Sequence, residues 1–309
     1  MTMMAHAYLK QFSTAVEKSK GTRTQKLLRS PLKIACSKIL QLISERLNTL
    51  IQVKAKTFWG DKMSVVFPNE VAILVFRYGF FEEGLTRIVL EYLKPGMVLF
   101  DIGAHFGYFT LLGSRIVGGN GQVHSFEPTP GTFQVLQANS KSTGNVKVNN
   151  LAAWSTEASL SFNDYGPKFS GFNSVYSPRM DDSAKKHLQI RTYQVQAVPV
   201  DQYVAKTGAA PSFVKIDAES AEFEILRGME RTLMEFRPII SLEVGDMNVE
   251  GAVLSRDLVP HLLAKGYRAF EFNNGKIVEH RLRGQYAYDN IVFLPNAGTM
   301  DSGATGDPG

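Results

Sequence analysis

The sequence predicts an α/β protein built on a mainly parallel sheet with helices on both faces. Three observations carry this. Short β-rich runs alternate with helical patterns through the middle of the chain. One run, Val98 to Thr110 or "VLFDIGAHFGYFT", ends in an acid and breaks at once into glycines, and the next run also ends in an acid, Glu127. Sheets of this kind take their ligands at the carboxyl ends of their strands.

In chain order, residues 1–60 read as a basic, partly helical extension. Cations run from Lys10 to Lys56 and are opposed before residue 60 by Glu17 and Glu45 alone, so the net charge of +5 resides here. Leu28, Leu32, Ile39, Leu40, Ile43, Leu47 and Leu50 recur at roughly helical spacing, with basic residues between several of them. The expected role is a solvated helix docked on the catalytic domain, since Gly21 and Pro31 interrupt the pattern. Peripheral contact with anionic lipid or an acidic partner is the second reading.

Residues 61–295 carry the alternation. Strands are expected at Met97–Ile102, Gln122–Phe126, Val146–Leu151, Phe213–Ile216, Ile239–Val244, Tyr267–Phe272 and Ile291–Leu294. Helices are expected at Phe109–Val117, Thr132–Ser140, Ala221–Met229 and Leu254–Lys265. Between residues 156 and 197 the pattern lapses into "DYGPKFSGFNSVYSPRMDDSAKKH", which is long for a connection inside a compact domain. It reads either as a substrate lid, with Tyr165, Phe169, Phe172, Asn173, Ser174, Tyr176 and Arg179 as its surface, or as a hairpin on the sheet edge. Residues 296–309 are mostly Gly, Ser, Asp and Pro and read as a disordered tail.

Composition bounds the rest. With 44% hydrophobic and 20% charged residues the chain can bury an ordinary core. No apolar stretch approaches the ~20 residues of a membrane helix, and the first thirty residues lack a secretory signal's apolar segment. Cys36 is the single cysteine, which excludes an intramolecular disulfide and a thiolate zinc cluster. A cytoplasmic protein is expected.

The loop after the first strand offers Gly103 and Gly107 with Ala104, His105 and Phe106 between them, one glycine short of the dinucleotide fingerprint. Asp101 would repel a pyrophosphate and suits a cationic group, such as the ammonium of S-adenosylmethionine. Glu127 follows Gly103 by a little more than the ~20 residues expected for a ribose-binding acid, and a carboxylate can accept bonds from both ribose hydroxyls. The ligand expected is a nucleoside without a pyrophosphate.

These residues, with "LKPGMVLFDIGAHFGYFT", "VHSFEPTPGTFQVLQANSKSTGNVKVNNLAAW", "VPVDQYV", "FVKIDAESAEFEILRGM", "RPIISLEV" and "DNIVFLP", make the chain from about Gly79 to Pro295 resemble the FkbM family of S-adenosylmethionine-dependent methyltransferases. The resemblance implies a Rossmann-like, seven-stranded sheet whose last strand is antiparallel, and methyl transfer to a hydroxyl oxygen of a small metabolite or saccharide. It implies cofactor contacts at Asp101, Gly103, Ala104, Gly107 and Glu127, and the expected set adds His105, Ala153 and Asp217. His105 stands where the family has Asn, and Ser220 where it has Gly after the "DxE" triplet.

An alcohol acceptor needs a base. Asp217, Glu219 and Glu243 close later strands, and Asp217 and Glu243 are expected to converge on one cleft; His105 is a third candidate base. The acids could instead hold a divalent ion such as magnesium, with Asn248, Asp246 or Asn290 recruited, but no metal is predicted. His124, Tyr108 and Phe109 read as packing residues. A nucleic-acid acceptor is not expected, because no motif for stacking a flipped base is present. Two other classes remain: a nicotinamide oxidoreductase, opposed by the missing glycine, and a non-catalytic nucleoside-binding module recruiting a partner. Acceptor, metal dependence and oligomeric state are not fixed by the sequence.

Overall fold

A computed structural model describes residues 3–178, 185, 188, 190–246 and 249–296. The expected tail therefore lies almost wholly outside the described residues, as do Arg179 and Asn248. The chain opens with α1 (Met3–Ser19), α2 (Arg23–Arg29) and α3 (Pro31–Leu47), then the hairpin β1 (Ile51–Lys56) and β2 (Lys62–Phe67), and α4 (Glu70–Tyr78) and α5 (Glu83–Tyr92). The alternating part follows: β3 (Val98–Ile102), α6 (Tyr108–Val117), β4 (Gln122–Phe126), α7 (Pro130–Ser140) and β5 (Val146–Asn149). After the insertion come β9 (Phe213–Ile216), β10 (Ile239–Val244), β11 (Tyr267–Asn273), β12 (Lys276–Glu279) and β13 (Asp289–Pro295).

The main sheet runs β12-β11-β13-β10-β9-β3-β4-β5. Strands β5, β4, β3, β9 and β10 pair in parallel, and β13 enters antiparallel between β10 and β11. This is the expected seven-stranded arrangement with one addition. Strand β12 folds back on β11 through Asn274 and Gly275, both at positive φ, the two-residue hairpin signal of an Asn-Gly pair. The sheet therefore has eight strands.

Local chemistry explains the element ends. Asn69 caps α4 by accepting a bond from the Val71 amide, and Pro130 opens α7 where its missing N–H costs nothing. Along β3 alternate side chains serve opposite faces: Leu99 joins a core with Phe12, Trp59, Phe80 and Leu112, while Phe100 joins one with Phe126, Tyr203, Ile225 and Leu262. Phe100 and Phe126 are almost fully buried, each contributing roughly 1.5–3 kcal/mol.

The N-terminal arm does not stop at residue 60. Strands β1 and β2 pair across that position, and Phe12, Ala15 and Val16 of α1 are buried in the first core, where Phe12 meets Phe58 and Phe80 ring to ring. The division expected at residue 60 falls inside a hairpin because Asp61 and Lys62 belong to its turn and second strand.

The insertion takes the hairpin form, one of its two expected readings. Strands β7 (Ala158–Asp164) and β8 (Arg191–Val198) form an antiparallel hairpin, to which the short β6 (Ala152–Ala153) adds in parallel. Its 3₁₀ segment, Pro167–Phe172, reaches over the strand ends. Among the described residues no helix is long and apolar enough to cross a membrane.

Candidate active site

A cavity of about 1080 Å³ opens at the carboxyl ends of β3, β4, β9 and β10. Its wall includes Gly103, Ala104, His105, Glu127, Ala153, Asp217, Glu219 and Glu243, so most of the residues expected at a site do meet there. Two expected cofactor residues do not form its wall. Asp101 is fully buried, where it accepts a 2.6 Å bond from Thr110 Oγ1 and faces Lys215 Nζ at 3.5 Å. The side chain of Asp101 is thus turned toward Thr110 and Lys215 beneath the loop.

Gly107 is the second expected cofactor residue outside the wall, and both loop glycines are required by packing. A Cβ on Gly103 would lie 1.8 Å from the Asp217 carbonyl oxygen, and one on Gly107 would lie 2.6 Å from Leu136 Cδ1. Both have positive φ. Their close approaches are to neighbouring strand ends and to α7, although Gly103 also lines the cavity.

Glu127 stands at the tip of β4, buried, with each oxygen accepting one backbone N–H: His105 at Oε2 and Thr129 at Oε1, both 2.9 Å. Burial pushes its carboxyl up to about 7 against the pull of these donors and of Lys215. Each oxygen keeps acceptor capacity for a further donor from the cavity.

The surroundings of His105 disfavour a role as base. Burial, assisted by Lys215, pushes its imidazole down to about 3 against the attraction of Asp217. Its ring lies 3.9 Å from that of Phe106, and Nε2 shares a 2.8 Å bond with Ser170 Oγ. It ties the first loop to the 3₁₀ segment of the insertion. His124 is a satisfied core residue, bonded to Tyr203 and Gln122, as expected.

Asp217 and Glu243 converge because β9 and β10 are neighbours. Carboxylate oxygens of Asp217, Glu219 and Glu243 lie within 4.8 Å of one another. Such a set could ligate a hard divalent ion, but a cation is already present: Lys215 Nζ sits 3.1 Å from Asp217 Oδ2 and 2.8 Å from the Gly103 carbonyl. Burial would drive the Lys215 ammonium down, yet Asp217, Asp101 and Glu82 together hold it well above its ordinary value, so it stays charged. Asp246 is spent elsewhere, accepting from the Ser255 and Tyr286 amides.

Sequence reasoning missed Lys215 and Glu82. The signal for Lys215 was a charge inside the otherwise apolar run "FVKI". Glu82 had no such signal: it comes from the loop before α5, at φ 45, and lines the same cavity. Its Oε1 accepts a 2.5 Å bond from the Tyr288 hydroxyl, while the shielded Oε2 has no hydrogen-bond partner among the described residues. Burial and then Asp217 raise its carboxyl from 4.5 to about 7, with Tyr288, Lys215 and the Asn290 amide pulling weakly downward.

The insertion closes the cavity on one side with Phe169, Ser170, Phe172 and Asn173; Tyr165 and Tyr176 instead bond to each other, hydroxyl to carbonyl. Ser220 has φ 83, the left-handed conformation that its glycine counterpart adopts freely.

The chain is similar in sequence to known methyltransferases. The family described as the methyltransferase FkbM domain matches residues 101–269. The hexuronic acid methyltransferase AglP of Haloferax volcanii is 28% identical over 160 residues, covering 52% of this chain and 61% of its own. The 31-O-demethyl-FK506 methyltransferase FkbM of Streptomyces tacrolimicus is 29% identical over 163 residues, covering 45% and 61%. The chain thus spans about three fifths of the length of these relatives. Among solved structures, a methyltransferase FkbM from Methylobacillus flagellatus aligns over 92% of this chain and 58% of its own, with 15% identity and a TM-score of 0.42.

Proposed function

The chain belongs to the family of FkbM methyltransferases, and on that premise we propose that it transfers a methyl group from S-adenosylmethionine to a hydroxyl oxygen of a small molecule or saccharide. The observation that carries this reading is Glu127, a strand-tip carboxylate preset by two backbone donors with capacity left toward the cavity. The names of the two relatives, one specifying a hexuronic acid and one an O-demethyl compound, support a hydroxylated acceptor.

The residues present fit this cofactor. Glu127 would accept the ribose hydroxyls, Gly103, Ala104 and Ala153 would border it, and Asp217, Glu219 and Glu243 supply negative charge beyond what Lys215 neutralises, as a cationic ligand requires. When bound, S-adenosylmethionine supplies an electrophilic methyl carbon on a positively charged sulfur. The chain's part is alignment of the acceptor oxygen with that carbon, and removal of the acceptor's proton.

For the proton we assign Glu82. Its Oε2 is free, shielded and in the cavity wall, and a carboxyl near 7 can take a proton at neutral pH. Transfer would form the O–C bond as the donor's S–C bond breaks and S-adenosylhomocysteine leaves, and the acceptor's hydroxyl proton would pass to Glu82 Oε2. Asp217, held by Lys215, and Glu243 orient the acceptor. Lys215 already pairs with Asp217, and this reading invokes no metal. Cys36 is a free exposed thiol, which supports the expected cytoplasmic location.

The test is calorimetric titration with S-adenosylmethionine, S-adenosylhomocysteine and NAD. Saturable binding of the first two, at least tenfold weaker in Glu127→Ala, is expected. Binding of NAD alone would overturn the reading in favour of an oxidoreductase. Binding without turnover of any hydroxylated acceptor in wild type, unchanged by Asp217→Ala, would leave a nucleoside-binding module.

A further inference from the structure

Helix α3 is built inside out. Its stripe against the protein is half polar: Ser37 accepts a 2.6 Å bond from Arg77 Nε and Ser44 donates to the Phe67 carbonyl, while Ile34 is buried and Leu40 is partly buried against the first core. The opposite stripe recurs at helical spacing as Leu32, Cys36, Ile39, Ile43 and Leu47, with Leu42 at its edge, and it faces solvent. Leu32 is 78% and Leu47 68% exposed, and Leu28 of α2 extends the patch at 76%. The helix thus turns Ile34, Ser37, Leu40 and Ser44 toward the protein and leaves Leu32, Ile39, Ile43 and Leu47 outside.

A soluble helix places its apolar stripe against the core, and a contiguous apolar face on the outside marks an interaction surface. What covers it follows from the charge around it. Lys33 and Arg46 flank the stripe on α3, Lys38 and Arg29 lie nearby, and Glu45 is the one acid of α2 and α3. Glu45 is already bonded to Lys168. An aliphatic face ringed by cations matches a surface that is itself apolar beneath an anionic layer.

We propose that α2 and α3 form a peripheral docking face for an anionic lipid bilayer, in which the helix lies parallel to the surface with its leucines and isoleucines in the acyl boundary and its lysines and arginines among the headgroups.

The test is co-sedimentation of the full chain with vesicles of phosphatidylcholine, with and without roughly a third phosphatidylglycerol. Binding to the anionic vesicles is expected, at least tenfold stronger than to neutral ones, and weakened as salt rises from ~0.1 M to ~0.5 M. The triple variant Leu32→Asp, Ile39→Asp, Ile43→Asp should lose sedimentation about tenfold or more. Lys33→Gln with Lys38→Gln and Arg46→Gln should lose the preference for anionic lipid. Met234→Asp, at another exposed apolar residue (72% exposed), should change neither. Failure of the wild type to sediment with anionic vesicles, or undiminished binding by the triple variant, would overturn the proposal. So would a dimer in lipid-free solution, seen by light scattering, that the aspartates disrupt while vesicle binding is absent; that result would assign the face to a second copy of the chain.

Discussion

The strand tips around Lys215 and the outer stripe of α3 both break the pattern of apolar inside and polar outside, and they break it in opposite directions. At the strand tips Asp101, Lys215, Glu127 and Glu243 are buried. On α3, Leu32, Ile39 and Leu47 are in water. The interior exception is compensated from within: Lys215 sits between Asp101 and Asp217, and Asp101 also has Thr110. Burying these ions is expensive, and their mutual pairing is what makes it tolerable. The exterior exception has no such internal partner, since exposed leucines gain nothing from their own chain. A compensated exception presets a site, whereas an uncompensated one points to something outside the molecule.

The contrast is open to direct attack. The largest effect is expected from Lys215→Met, which removes the ammonium and leaves the fully buried Asp101 carboxylate facing no cation. Breaking one partner of such a group costs about 3–5 kcal/mol, read as a shift of the urea midpoint. An unchanged midpoint would mean that the interior charges are not a coupled unit.

Next comes Glu82→Gln, expected to lower turnover about a hundredfold, or ~2.7 kcal/mol of barrier. Turnover by the wild type should rise with pH and level off above about 7, because the base must be deprotonated. That rise should vanish in the variant, whose affinity for S-adenosylhomocysteine should be unaltered; a retained rise would remove Glu82 from the mechanism. Stability has the opposite sign. Glu82 and Glu127 have carboxyls raised from 4.5 to about 7, so their contribution is full below pH 4.5 and is lost as pH climbs through about 7.

The smallest effect is expected on the outer face. In the absence of lipid, Leu32→Asp with Ile39→Asp should change folding stability by no more than about 0.5 kcal/mol, since neither side chain is packed. A loss of several kcal/mol in thermal or urea unfolding would show that this stripe is core after all.

Much of the architecture was legible because it is local or periodic. The strands β4, β9 and β10 lie at the residues expected, and helices α6 and α7 begin one or two residues early, Tyr108 and Pro130 in place of Phe109 and Thr132. Glu127 was legible as a strand-tip acid. Asp217 and Glu243 were legible as a pair, because a parallel sheet of this order makes their strands neighbours.

Other features had no local signature. Whether Asp101 faces a ligand or a lysine depends on β9 delivering Lys215 beneath it from more than a hundred residues away. That the surroundings of His105 disfavour a role as base follows from its burial under the insertion and from Ser170, not from its position in the loop. Glu82 enters from a loop that carries no motif.

The alternating fold, the two strand-tip acids, and the basic, leucine-bearing character of the first sixty residues follow from neighbouring residues alone, because periodicity and charge are local properties. Which acids face inward, which carboxyl oxygen is left open to the cavity, and which side of α3 is turned out are set by packing. Each of those depends on desolvation by elements distant in sequence, and burial is not a property that a residue carries with it.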